Sequence, residues 1–319
     1  MLLLVALATA RCSSLTYLPA QKLPYTNPDK FKYKPQDVFF MAADDTILHG
    51  WYFKSPVRPA KATILLFHGN AQNLTTHFFN LYWAIEQGFD YFIFDYRGYG
   101  SSEGKATPAG TIQDGLAALD WIDKHKDPKT KTVIYGQSLG GAIALRVACD
   151  TADTSKYDMV ILDSTFSSYR SVARSILSRV WFMWPFQWIG WLVMNDTYAP
   201  KNCAAQISPR PLLVIHGTKD QTIDFTLGEK IYRDARAPKE FWRVEDGRHT
   251  DFLFRDNGRF QNDFASWIVK GPSDSENERT FTPVTVEVLL KQQADERAAR
   301  AKDQDNDDDS DDDDNSPNN

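Results

Sequence analysis

Three cysteines in 319 residues, at positions 12, 149 and 203, are too few and too scattered for a zinc site or a disulfide framework. No apolar stretch is long enough to cross a bilayer as a helix; Leu2 to Ala10 is nine residues long, about half of what a span needs. Neither a G-x-G-x-x-G opening nor a P-loop lysine pattern occurs, so nothing in the chain is built to cradle a dinucleotide or nucleotide phosphates. Nor is there a large basic surplus. The net charge is −6, and residues 301–319 alone hold nine Asp against one Lys, which leaves the other 300 residues slightly positive. The acidity therefore belongs to the tail, which cannot bury a core and reads as a solvated, disordered extension; no nucleic-acid surface is evident.

What remains is rich in apolar and aromatic side chains, 42% and 13%, enough for one sizeable core. Apolar runs alternate with helical patterns. Strands are expected near 37–41, 46–53, 62–68, 91–95, 132–136, 158–163, 211–216 and 240–244, and helices near 75–87, 110–126, 138–150, 225–235 and 257–270. The alternation predicts an α/β fold: a mostly parallel eight-stranded sheet with helices on both faces and the site at the strand C-termini. The first two strands should form an edge hairpin turning at Asp44-Asp45.

Within that pattern, Val133 to Gly141 reads Val-Ile-Tyr-Gly-Gln-Ser-Leu-Gly-Gly, a strand that stops at Gly136 and restarts as a helix after Ser138. This is the G-x-S-x-G elbow, in which glycines permit close backbone approach while the serine is pushed out at the sheet end. Ser138 is the expected nucleophile, and the N–H of Leu139, at a helix N-terminus, can face a developing oxyanion. The apolar strand 62–67 ends in His68-Gly69-Asn70-Ala71, where the N–H of Asn70, or else Ala71, supplies the second oxyanion donor. Strand 211–215 ends in His216-Gly217-Thr218-Lys219-Asp220, which makes Asp220 the acid by position, with Asp224 as its competitor. His249, in the loop after strand 241–244, is the general base, because imidazole titrates near neutral pH and can take and return the serine proton. The other histidines get structural readings: His68 and His216 as satisfied strand-end groups, His49 in a strand, His77 and His125 on helix surfaces or loops. Asp95 and Arg97 are read as a local ion pair bracing the loop 95–104.

These elements make residues 35–270 resemble the α/β-hydrolase superfamily. The runs 68–71, Phe94 to Gly104, Tyr135 to Gly141 and Asp163-Ser164-Thr165-Phe166 are similar to the branch of bacterial serine-aminopeptidase-like hydrolases and animal ABHD13- and ABHD17-like proteins. The resemblance implies ester or thioester hydrolysis by a Ser-Asp-His triad without a cofactor, on a small-molecule acyl substrate. Asp163 departs from a pattern that often has Glu. Amide or peptide hydrolysis, or a non-catalytic envelope binding protein on the same scaffold, are the alternatives.

Three appendages complete the chain. Nearly fifty residues separate the strands at 158–163 and 211–216, which marks a lid at about 166–208. Trp181, Trp184, Trp188 and Trp191 recur there at spacings of three and four, with Pro185 dividing helices at about 167–182 and 185–194. Trp184, Trp188 and Trp191 are expected to shape an acyl pocket or face a membrane. Leu2 to Ala10 followed by Cys12 resembles a lipoprotein signal in which Cys12 carries lipid, against which stand Arg11 and the absence of a basic residue before the run. That resemblance implies residence in the cell envelope, with secretion or the cytoplasm as alternatives. Cys149 is read as a buried free thiol, and spacing does not say whether it pairs with Cys203. Residues 271–275 read as a linker, 284–300 as a weak helix.

Overall fold

A computed structural model describes residues 17–20, 27–179, 188 and 194–283. Its strands are β1 (Leu18–Pro19), β2 (Gln36–Met41), β3 (Ile47–Phe53), β4 (Ala62–Phe67), β5 (Ala71–Gln72), β6 (Phe89–Phe94), β7 (Lys131–Gln137), β8 (Met159–Asp163), β9 (Leu212–Gly217), β10 (Lys239–Val244) and β11 (Glu276–Phe281). The α-helices described are α1 (Leu74–His77), α2 (Phe79–Tyr82), α3 (Pro108–His125), α4 (Leu139–Asp150), α5 (Tyr169–Arg179), α6 (Phe225–Asp234) and α7 (Gln261–Lys270).

The main sheet runs β11-β10-β9-β8-β7-β4-β6-β3-β2, parallel except where β3 meets β2 and β6. Strand β4 shows why its centre sits where it does. All six of its side chains are buried, with Leu65 and Phe67 entering one core and Ala62, Ile64 and Leu66 the other. A strand apolar on both faces is stable only between two helical layers. Helices α3, α4 and α6 cover the first face through Leu119, Ile143 and Ile231; α1, α2 and α7 cover the second through Leu74, Leu81 and Phe264. Every parallel strand of the central sheet ends on the same side, so the loops that carry Asn70, Ser138, Asp220 and His249 are neighbours.

The expected hairpin is there, with Asp45 taking the left-handed conformation (φ 62°) at its turn. Among the described residues nine strands form this sheet rather than eight. Glu276–Phe281, which lies beyond the expected domain end at 270, pairs in parallel with β10. Its sequence, Glu-Asn-Glu-Arg-Thr-Phe, lacks apolar alternation because an edge strand needs only backbone pairing and one anchor. Phe281 is that anchor, with its ring 5.0 Å from Trp242 and 5.1 Å from Phe252.

The helix expected at 75–87 is resolved into α1, α2 and a 3-10 turn at Trp83–Ile85. Phe78 and Trp83, at the joints, keep right-handed helical angles, so the direction persists while the hydrogen bonding tightens. Arg97 does not pair with Asp95. Asp95 is fully buried and accepts the Leu74 N–H at 2.8 Å, whereas Arg97 runs to Asp114 (2.8 Å) and Asp44 (2.7 Å), tying the hairpin turn to α3. Cys149 is not a free thiol: it forms a disulfide with Cys203, joining the end of α4 to the segment that returns from the lid region.

Candidate active site

The elbow is held in a conformation that side chains rarely adopt. Ser138 has φ 54° and ψ −122° between β7 and α4. Two glycines make this possible. A Cβ on Gly140 would lie 2.2 Å from the Phe67 carbonyl oxygen, and one on Gly136 would lie 2.6 Å from Gly141 Cα. The backbone is then fixed on both sides: Ser138 N–H donates to the Asp163 carbonyl at 2.9 Å, and Thr165 Oγ1 donates to the Ser138 carbonyl. As the first residue of α4, Leu139 has an N–H that the helix itself cannot use.

Against Ser138 lie the two residues expected from the far side of the sheet. His249 Nε2 is 2.9 Å from Ser138 Oγ, and His249 Nδ1 is 2.7 Å from Asp220 Oδ2. Asp220 is buried and completely provided with donors: its Oδ1 accepts the N–H groups of Thr222 (2.7 Å) and Ile223 (2.9 Å). Burial pushes its carboxyl up, but hydrogen bonds from His216 and His249 and the charge of His249 outweigh that and hold it below the usual carboxylate range. Asp224 is elsewhere employed, capping α6 through the Thr226 N–H (3.0 Å) and pairing with Arg179.

The third loop, 68–71, closes the site. Its Gly69 faces the elbow, since a Cβ there would lie 3.8 Å from Ser138 Cβ. The Asn70 side chain is spent on architecture: Oδ1 accepts the Leu18 N–H at 2.8 Å and the Tyr99 hydroxyl at 2.9 Å, and Tyr96 holds the His68 carbonyl at 3.0 Å. Asn70, Ser138 and His249 thus border one open cleft of about 620 Å³.

Several residues of this cleft escaped the sequence reading. His77, taken for a surface group, lines it, and burial and the nearby His68 push the imidazole down to about 4, so the ring is neutral. Asn80 and Gln137 line it as well, joined by an amide hydrogen bond. Beneath them Gln137 Nε2 reaches the Tyr135 hydroxyl (2.7 Å) and Asp163, whose carboxyl also accepts from Tyr135 and Ser164 and is raised by complete burial. His216 does more than end a strand; it packs against Asp220, with Nε2 3.3 Å from Oδ2. Nothing in the one-dimensional pattern separates these positions from core polar residues, because Asn80 and Gln137 find partners 57 and 26 residues away along the chain, and those of His77 and His216 appear only once the turns close.

Of the tryptophans expected in an acyl pocket, Trp188 is 58% exposed and is not among the described lining of the cleft, while Trp184 and Trp191 lie outside the described residues, as does Cys12. Of the lid helices, α5 at Tyr169–Arg179 is described, and it buries only Tyr169. Among the described residues no cluster of His, Cys, Asp and Glu could hold a metal ion.

A parallel sheet flanked by helices, with a serine on a strained elbow after the central strand β7, defines a class, and the chain belongs to it: the alpha/beta hydrolase fold family, whose model matches residues 62–189. Among individual relatives, the uncharacterised protein YfhR of Salmonella typhi is 35% identical over 252 residues, covering 74% of this chain and 82% of that protein. The lysophosphatidylserine lipase ABHD12 of Danio rerio is 34% identical over 199 residues, 59% of this chain and 51% of that protein. In solved structures, the Pyrococcus furiosus esterase Pf2001 has the same fold, with a TM-score of 0.61 at 18% identity over 80% of this chain and 96% of that one.

Proposed function

We propose that the protein is a serine hydrolase that cleaves acyl esters or thioesters through an acyl-enzyme. The observation that carries this reading is the unbroken line from Ser138 Oγ to His249 Nε2 (2.9 Å) and from His249 Nδ1 to Asp220 Oδ2 (2.7 Å). His249 takes the Ser138 proton as the oxygen attacks the carbonyl carbon, and Asp220 fixes the tautomer and steadies the imidazolium. The amides of Leu139 and Asn70 receive the oxyanion; His249 then protonates the leaving group, and water repeats the sequence to release the acid. An acyl substrate is supported by the lipase activity named for the ABHD12 relative.

Fluorophosphonate labelling, followed by p-nitrophenyl esters of graded length with a thioester and an aminoacyl anilide alongside, tests the reading. Labelling should map to Ser138 and be absent from Ser138→Ala. Substantial hydrolysis by purified Ser138→Ala protein would overturn it, and preference for the anilide would move the substrate class to amides. Membrane attachment through a lipid on Cys12 is part of the same proposal, supported by the apolar run before it. Loss of detergent-phase partitioning in Cys12→Ser tests that part, and unchanged partitioning would sink it.

A further inference from the structure

We propose that the wall of the cleft built from α1 and α2 binds the alcohol portion of the ester, and that this portion is an uncharged group bearing hydroxyls. This rests on the serine hydrolase reading and names its substrate more closely.

The argument is a count of donors and acceptors along that wall. His77 Nε2 lies 2.8 Å from the Ala71 carbonyl, which can only accept. The proton is therefore on Nε2, and Nδ1 is left as a lone pair on a ring that lines the cleft. Thr76 donates its hydroxyl to the Asn73 carbonyl at 2.9 Å, so its oxygen too has only acceptor capacity left for a ligand. Asn80 is set by a longer chain of reasoning. Gln137 must turn its NH₂ toward the Tyr135 hydroxyl and the Asp163 carboxyl, which leaves its carbonyl for Asn80. Asn80 then spends an N–H on Gln137, and its own side-chain carbonyl oxygen makes no hydrogen bond among the described residues. Three adjacent side chains thus present acceptors: His77 and Thr76 have committed their donors to the fold, and Asn80 keeps one N–H beside its open oxygen. A ligand satisfies such a wall only by bringing donors of its own, since a desolvated acceptor left unmatched is costly.

Charge narrows the choice. No Lys or Arg is among the described residues lining the cleft, so nothing there offsets the desolvation of a phosphate. Its one carboxylate, Asp251, is neutralised by Arg255 at 3.0 Å, and His77 is uncharged, so the wall has no net negative charge to hold an ammonium. Uncharged donors remain, and on the alcohol portion of an ester these are its hydroxyl groups. The exposed apolar members of the cleft, Leu18 and Phe254, suit an acyl chain.

The test compares kcat/KM for four esters of one medium-chain acid: glyceryl, ethyl, choline and glycerophosphate. The glyceryl ester should exceed the ethyl ester about tenfold, one good hydrogen bond's worth, with the choline and glycerophosphate esters below it. Both His77→Phe, which keeps a flat ring on His68, and Thr76→Val, which keeps the shape, should lower the glyceryl-to-ethyl ratio about five- to tenfold. Using two variants of different kinds keeps the test decisive should one fail to fold. A wild-type ratio near one, a ratio unmoved in the folded variants, or a fastest rate on either charged ester overturns the proposal while leaving the hydrolase reading intact. If no ester is cleaved and Ser138 is not labelled, the hydrolase reading fails and this proposal falls with it.

Discussion

His216 Nε2 lies 3.3 Å from Asp220 Oδ2, the same oxygen that holds His249 Nδ1 at 2.7 Å. The His216 ring is completely buried at the end of β9, and its seat exists because residue 228 is glycine; a Cβ there would lie 2.3 Å from His216 Nδ1. The ring also reaches the Ile223 carbonyl at 3.1 Å, so it pins the turn that carries Asp220 from two directions.

His216 is therefore a positioning residue for Asp220, and its loss should register in turnover rather than in substrate affinity. His216→Phe, similar in volume but without the nitrogen, should lower kcat about tenfold with KM little changed. Steady-state kinetics on a short-chain p-nitrophenyl ester reads the split. A rise in KM at constant kcat would place the effect in the cleft and not at Asp220.

The two aspartates that compete in the sequence should separate sharply. Asp220→Asn removes the acceptor that orients His249 and should reduce kcat by about 10³- to 10⁴-fold. Asp224→Asn should leave kcat within about threefold of wild type, since Asn also serves as an N-cap. Asp224→Ala, in contrast, should cost about 1 kcal/mol of stability in urea unfolding through loss of the cap on α6. The reverse ranking of the two Asn variants would reassign the acid.

Much of this site is legible from the chain because its parts follow strand ends, and strand ends are marked by apolar runs breaking at Gly. Ser138, Asp220, His249 and Asn70 all sit at such breaks, and a parallel sheet must bring its C-terminal loops together. The polar supports do not announce themselves in this way. His77 reads as a surface residue until α1 folds it back onto the 68–71 loop, and His216 reads as the tail of a buried strand. Glu276–Phe281 is missed for the opposite reason: it pairs through its backbone, which leaves no period in its side chains. Arg97 is misassigned because proximity in sequence favours Asp95, while the fold turns Asp95 inward and offers Asp114 from α3.

The half-buried, neutral His77 gives stability a pH dependence whose sign is fixed. The folded ring titrates at about 4, whereas an unfolded histidine titrates near 6.5, so the unfolded chain binds the proton more readily. The contribution is complete above about pH 6.5 and is lost as pH falls toward 4. Between those limits wild type should lose about 2 kcal/mol more than His77→Phe, whose ring cannot titrate. Urea unfolding at half-unit pH steps measures the difference, and parallel curves for the two proteins would refute the assignment.

The last prediction concerns the edge that extends the domain beyond residue 270. Phe281 is 93% buried, with its ring centroid 5.0 Å from both Trp242 and Phe260, and it is the one buried side chain of β11. Backbone pairing with β10 supplies register, but an edge strand of Glu, Asn, Arg and Thr has little other apolar area to hold it in place. Phe281→Ala should therefore cost about 3–4 kcal/mol, the loss of one buried aromatic together with the cavity it leaves. The cost should be accompanied by faster amide exchange along Lys239–Val244, whose outer ladder β11 covers. Truncation after Lys270 should do at least as much damage, because it also exposes the β10 edge. A truncated protein that melts at the wild-type temperature would return the domain boundary to 270 and reduce β11 to a passenger on the sheet.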